Sequence, residues 1–252
     1  IEDRKVIKFA GKSIYAVPYD MAIIGYGTDN IGTLRLWQPE AMVDFDYGQF
    51  NEQHYMEAIR ERNQADDICK VLYPNDNDYE GKMLRLKQEY FFCSASLQDI
   101  IAKYKKQYGS DFSKFAEHAV IQLNDTHPVV SIPELIRLLG EEGIGFEAAF
   151  DIAQKTFSYT NHTVMSEALE RWDIGLMSKL LPDVFAIIEK IDQKEAIELA
   201  VKPGMDEVIA EWDDKDEDGK VIKHNVRTRL DSMRILDGNA VHMARLAVYA
   251  ST

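Results

Sequence analysis

Apolar positions along the chain switch between two spacings. Short apolar runs fit strands, and segments with apolar residues every three or four positions fit helices. Ser13–Val17 reads as a strand ending at Pro18, and Gly32–Trp37 as a second strand. Asn51 is placed to cap a helix running to about Leu72. Its apolar positions, Tyr55, Ile59, Ile68, Val71 and Leu72, thin out where Arg60, Glu61, Arg62, Asn63, Asp66 and Asp67 intervene. So polar a helix projects from the body or meets a partner. Tyr73–Asn77 is a turn cluster, since Pro, Asn and Asp favour local non-helical geometry. A long helix follows from about Gly81 to Tyr108.

The second half continues the alternation. Ala119–Leu123 reads as a buried strand. Ser131 and Glu134 have the spacing of a capping box, with Pro133 in the first turn and Gly140 closing the helix. A helix is predicted from Phe146 to about Lys155 and a strand from Thr156 to Thr160. Helices are predicted over about Glu167–Leu181 and Asp183–Val201. Asp213–Lys220 is a solvated charged loop with an Asp-Gly step, and Val241–Tyr249 is a last strand. Alternating strands and helices make the class α/β.

Three polar clusters stand out on this frame: Asn75-Asp76-Asn77, Asn124-Asp125-Thr126-His127-Pro128 after one strand, and Asn161-His162-Thr163 after the next. Ligands of open α/β sheets bind beyond the carboxyl ends of strands, so the last two clusters should face one crevice. Asn and neutral His both donate and accept, and Asp accepts from paired hydroxyls, a set suited to a neutral polyhydroxylated ligand. A plainer reading is that Asp125 and Thr126 cap the next helix and His127 is a loop histidine. A metal reading uses Asp125, His127 and His162, but the six histidines show no H-x₃-H spacing, so no metal is expected.

Composition narrows the classes. The 252 residues suffice for a real core, and 46% hydrophobic content excludes a disordered chain. A net charge of −14 repels phosphate backbones, so nucleic acid is an unsuitable partner. No apolar run reaches membrane-helix length, and the first residues lack signal-peptide order. The two cysteines, Cys69 and Cys93, read as reduced thiols in helices, which points to the cytoplasm. The chain opens on Ile1, so it is expected to begin inside a longer polypeptide. No Gly-x-Ser-x-Gly elbow is present, neither cysteine neighbours a histidine, and Gly25 and Gly27 open no phosphate loop.

The order of several segments resembles the glycogen/maltodextrin phosphorylases. Asn30-Ile31-Gly32-Thr33-Leu34-Arg35-Leu36-Trp37 is similar to that family's N-x-x-T-x-R-L-W strand. Val71-Leu72-Tyr73-Pro74-Asn75-Asp76-Asn77 looks like its active-site gate loop. Leu84–Phe91 (LRLKQEYF), Gln122–Pro128 (QLNDTHP), Tyr159–Val164 and Glu167–Trp172 follow in family order.

The resemblance implies phosphorolysis of a terminal α-1,4-linked glucose, with retention, to glucose 1-phosphate. It also implies a two-domain GT-B glycosyltransferase architecture, of which residues 1–252 form part of one Rossmann-like N-terminal domain. By position, His162 should contact the glucosyl 6-hydroxyl and Asn77 the 2-hydroxyl, with Asp76 in the gate. Tyr73, Arg85, Asp125, Thr126, His127 and Glu167 should line the pocket where the glucan leaves. Tyr55 and Asn63 fall on the element through which the family forms homodimers.

Pyridoxal phosphate serves the full-length enzymes, but the family's cofactor lysine and phosphate-binding residues lie C-terminal of everything here. The chain alone is therefore expected to bind no cofactor and to be inactive, with no catalytic residue of its own. Ala102-Lys103 replaces the paired arginines of regulated animal members, and Asp78 replaces an aromatic. A non-catalytic carbohydrate-binding or regulatory remnant of the same fold is the alternative. A nucleotide-sugar transferase domain lacks these motifs.

Overall fold

A computed structural model describes residues 3–217 and 219–252. The chain divides into two compact units. One runs to Ala119 and adds Lys179–Leu181; the other takes Val120–Ser178 and Pro182–Thr252.

The first unit opens with an antiparallel sheet of β1 (Lys5–Phe9), β2 (Lys12–Ile24) and β3 (Ile31–Ala41), in that spatial order. The strands predicted at Ser13–Val17 and Gly32–Trp37 are present but longer. Pro18 does not end β2: it pairs with Trp37, two residues past the last β1 partner at Ala16. There β2 has a neighbour on one side only, so the missing proline N–H costs no ladder bond on the open side. Arg35 of β3 donates to Asp20 through Nε and Nη2, at 2.8 and 2.7 Å, and to Asp99 at 2.7 Å.

The predicted helix from Asn51 is three helices: α1 (Tyr47–Asn51), α2 (Tyr55–Ala58) and α3 (Arg60–Lys70). Asp46, not Asn51, caps the first, accepting from Gln49 N–H. Gln53 in a left-handed conformation (φ 66°) and a break at Ile59 interrupt the path. The sparse apolar stripe explains this, because α3 buries only Ala65 and Ile68. The long helix is α4 (Tyr79–Tyr108), started by Asp78 accepting from Gly81 N–H. Leu86, Tyr90, Phe91, Leu97 and Ile101 put its middle in the core. A short α5 (Phe115–His118) follows. Cys69 and Cys93 are not joined in a disulfide, and burial pushes the half-buried Cys69 thiol up to about 11.

The second unit is built on a parallel pair, β4 (Ile121–Asn124) and β5 (Phe157–Thr160), joined through α6 (Ser131–Glu141) and α7 (Phe146–Thr156). Only Leu123 of β4 is buried, so this strand is less enclosed than its apolar run implies. The expected Ser131–Glu134 capping box does not form. Val130 precedes the helix, and turns leading into it satisfy its first amides: Ser131 N–H donates to Pro128 O, Ile132 to Val129 O and Glu134 to Val130 O. Glu134 instead pairs with Arg137. Gly140 lies inside α6, and Gly143 takes the left-handed turn beyond it.

The helix expected from Glu167 starts later. Ser166–Ala168 is a single 3-10 turn, β6 (Arg171–Asp173) pairs elsewhere, and α8 (Ile174–Leu180) begins where Asp173 accepts from Leu176 N–H. Then come α9 (Pro182–Ala200) and a hairpin of β7 (Val208–Lys215) and β8 (Val221–Thr228). The charged loop expected at 213–220 is thus shorter; its first residues are strand, and Asp218 lies outside the described residues. After α10 (Arg229–Met233) come β9 (Leu236–Asp237), β10 (Ala240–His242) and α11 (Met243–Ala250). β10 sits between β6 and β9. The strand expected over Val241–Tyr249 is therefore mostly helix. Met243, Leu246, Ala247 and Ala250 are its buried positions, a helical spacing.

Candidate functional site

Strands β4 and β5 run parallel, so the segments following them leave the same end of the pair. Asp125 takes a left-handed backbone (φ 63°), tolerated by Asp because its short side chain bonds locally. Its N–H donates to Thr160 O at 2.9 Å. Its Oδ1 accepts from Thr126 N–H at 2.7 Å, and its Oδ2 from the Thr163 hydroxyl at 3.0 Å. Burial would raise the Asp125 carboxyl. The Thr126 N–H, the Thr163 hydroxyl, His127 and the His162 N–H outweigh that and hold it below the usual carboxylate range. Asn161 closes its own loop, accepting from Thr163 N–H at 2.9 Å and donating to Thr163 O at 3.0 Å.

This arrangement brings Asp125, Thr126 and the His162 backbone together. Thr126 is buried and His127 half-buried, whereas His162 and Glu167 are exposed. Helix capping does not account for Asp125, since its carboxylate ties two loops together. Thr163 belongs to the third polar cluster, but its bond to Asp125 spans 38 positions and leaves no local signal. Among the described residues no group of three His, Cys, Asp or Glu is placed to hold a metal, so Asp125, His127 and His162 form no ligand set.

The turn in the first unit is organised separately. Arg85 of α4 reaches Asp76 at 2.8 Å and Glu89 at 3.3 Å. Asn75 accepts from Asn77 N–H at 3.0 Å, and Gln88 Nε2 donates to Val71 O at 2.8 Å. Tyr73 is exposed and left-handed (φ 55°), and Asn77 is exposed. Gly81 permits the close approach: a Cβ there would lie 1.9 Å from Asn75 O.

A family model described as carbohydrate phosphorylase matches residues 2–252. The chain belongs to the carbohydrate phosphorylase family. It is 43% identical over 252 residues to "Alpha-glucan phosphorylase, H isozyme" of Solanum tuberosum, a match covering 96% of this chain and 28% of the relative. It is 48% identical over 189 residues to "Glycogen phosphorylase, liver form" of Homo sapiens, covering 72% and 22%. It is also 48% identical over 190 residues to "Alpha-glucan phosphorylase 2, cytosolic" of Arabidopsis thaliana, covering 73% and 23%. The chain thus spans only 22–28% of the length of these phosphorylases.

Pyridoxal phosphate, implied by the resemblance, does not fit the lysines nearest such a role. An imine needs an amine held in an enclosed site beside donors for the cofactor phosphate. Lys12 is exposed and donates to Gln64 Oε1 at 2.7 Å. Lys87 is half-buried and its pKa is lowered, by burial first and then by the neighbouring Lys12 charge, with Glu80 opposing. No helix among the described residues is long and apolar enough to cross a membrane.

Proposed function

We propose that this chain supplies glucosyl and glucan contacts to an α-glucan phosphorylase, which releases glucose 1-phosphate from α-1,4-glucan ends with inorganic phosphate. The supporting observation is the Asp125–Thr163 tie at the shared end of β4 and β5, in a chain of this family. It holds side chains that both donate and accept next to exposed His162. In this reading His162 bonds the glucosyl 6-hydroxyl and Asn77 the 2-hydroxyl. Asp76, steadied by Arg85, belongs to a gate. Tyr73, Asp125, Thr126, His127 and Glu167 line the glucan path. Such groups act by positioning and by strengthening hydrogen bonds as charge develops, which needs no protein nucleophile.

Residues 1–252 form part of a Rossmann-like N-terminal domain of a GT-B enzyme in the cytoplasm, with pyridoxal phosphate carried elsewhere in the full-length protein. The exposed Tyr55 and Asn63 mark a homodimer contact. Sedimentation showing a strict monomer at high concentration would remove that last element.

The test is titration of the chain with maltoheptaose, followed by backbone amide signals. Shifts confined to residues 124–127, 161–167 and 73–77 support the reading. Uniform or absent shifts at saturating sugar would oppose it.

A further inference from the structure

Two carboxylates point inward one turn apart on α9. Asp192 is 1% exposed and Glu195 6% exposed. Asp192 is fully matched. Arg234 Nε donates to both of its oxygens at 3.1 Å, and Leu236 N–H donates to Oδ1 at 3.0 Å. Glu195 is not. It accepts from Ile235 N–H, but its Oε2 is buried and has no hydrogen-bond partner among the described residues. A buried carboxylate oxygen without a donor is costly as an anion and tolerable as a neutral acid.

The charged groups around Glu195 do not supply the missing donor. Arg234 is committed to Asp192. Arg245 of α11 donates to Arg234 O at 2.6 Å and to Asp237 of β9 at 3.2 Å, and Asp237 also holds Arg227. His242 of β10 lies 3.9 Å from Asp237, and burial pushes it down to about 4, so it is neutral in ordinary buffers. Tyr249 of α11 is kept protonated by burial, with Glu198, Glu195 and Glu147 adding to the effect. On α6, Glu134 and Arg137 pair with each other; Glu147 of α7 and Glu198 of α9 take Lys194. Burial pushes Glu195 up to about 7, and the Asp192 charge adds to this. Ile235 N–H, Arg245 and Arg234 pull it down.

The segment facing these carboxylates is a strap over residues 234–242. Ile235 O accepts from His242 N–H at 2.9 Å. β10 pairs along β6, with Val241 opposite Trp172 and His242 opposite Arg171. Met243 N–H then donates to Glu170 O at 3.2 Å. One side of the strap is therefore held by α9, and the other by the strand that directly follows the 161–170 loop bearing His162 and Glu167.

We propose that Glu195 and this strap form a proton-sensitive clasp, in which neutral Glu195 lets the strap close on α9 and its ionisation loosens β10, β6 and the loop leading to His162. The consequence for sugar binding rests on the reading of His162 given above; the clasp does not. The folded-state pKa is raised from the ordinary 4.5 to about 7. The stabilisation is thus complete below about pH 4.5 and is lost as pH rises through about 7.

Hydrogen exchange at the amides of Ile235, Leu236, Trp172 and His242 tests this. Rates corrected for intrinsic exchange would be compared from about pH 6 to about pH 8.5. In the wild-type chain, protection should fall on the order of tenfold over that window. Glu195→Gln keeps a neutral group of the same shape and should stay protected throughout. Flat wild-type protection overturns the clasp without any variant. A pH response retained in Glu195→Gln, or in Glu195→Met if the amide variant folds poorly, overturns it by assigning the titration to another group.

Discussion

The Thr163 hydroxyl donates to Asp125 Oδ2 at 3.0 Å, joining the loop after β5 to the loop after β4. The tie is made by an anion that already holds Thr126 N–H at 2.7 Å. One carboxylate therefore fixes the entry to α6 and the mouth of the candidate sugar site together.

Replacing Asp125 by Ala removes both bonds and leaves a non-glycine residue at φ 63° without local compensation. We expect a loss of about 1.5–3 kcal/mol, the range for hydrogen bonds to a charged group. Thr163→Val should cost about 1 kcal/mol. The sign with pH follows from the depressed Asp125 pKa. Its stabilisation is present above the unfolded value of about 3.9 and lost as pH falls through the lower folded value. Urea titrations at stepped pH should show this acid loss in the wild type and less of it in Asp125→Asn.

Gly81→Ala should disturb the turn over residues 73–77 and leave the fold intact. The added Cβ would sit 1.9 Å from Asn75 O and 3.0 Å from Asp76 Cα, so backbone must shift. Overpacking of this kind costs about 1–3 kcal/mol. Limited proteolysis should cut the turn faster in the variant, with the unfolding midpoint of the rest little changed.

The outer half of the β2–β3 hairpin turns Tyr19, Met21, Ile23, Leu34 and Leu36 to one face, each 44–58% exposed. An apolar face of this size promotes association. Met21 and Leu34 are cross-strand partners, so Met21→Lys with Leu34→Glu places opposite charges face to face. Stability should change by no more than about 0.5 kcal/mol. Binding of an apolar fluorescent dye, and any light-scattering growth with concentration, should fall.

Local signals carried much of this architecture. The 79–108 helix, the 157–160 strand and the turn between Tyr73 and Asn77 each have a strong period or a cluster of turn residues. What the sequence hid was long-range pairing. β6 exists because β10 lies beside it, so Arg171–Asp173 had no strand signature of its own. Ser131 and Glu134 had capping-box spacing, yet the turns from Thr126 to Val130 had already satisfied the helix amides. Apolar Val241–Tyr249 lacked a breaker, and its helix emerged only from which residues are buried.

The site divides in the same way. Asp125 and His162 stand out in the sequence as candidates because they follow strands in polar clusters. Thr163 as the partner of Asp125, and Arg85 as the support of Asp76, depend on geometry across many residues.

If the 161–163 loop reads glucosyl hydroxyls, as proposed, loss of the His162 imidazole must weaken both sugar binding and turnover. His162→Ala should be placed in the polypeptide at full phosphorylase length, and phosphorolysis of maltoheptaose measured with glucose affinity. Loss of an uncharged hydrogen bond in a closed site is worth about 1–3 kcal/mol, or roughly 5- to 150-fold. We expect kcat/KM and glucose affinity to fall by amounts in that range. Turnover and glucose affinity equal to wild type would show that His162 does not contact the sugar.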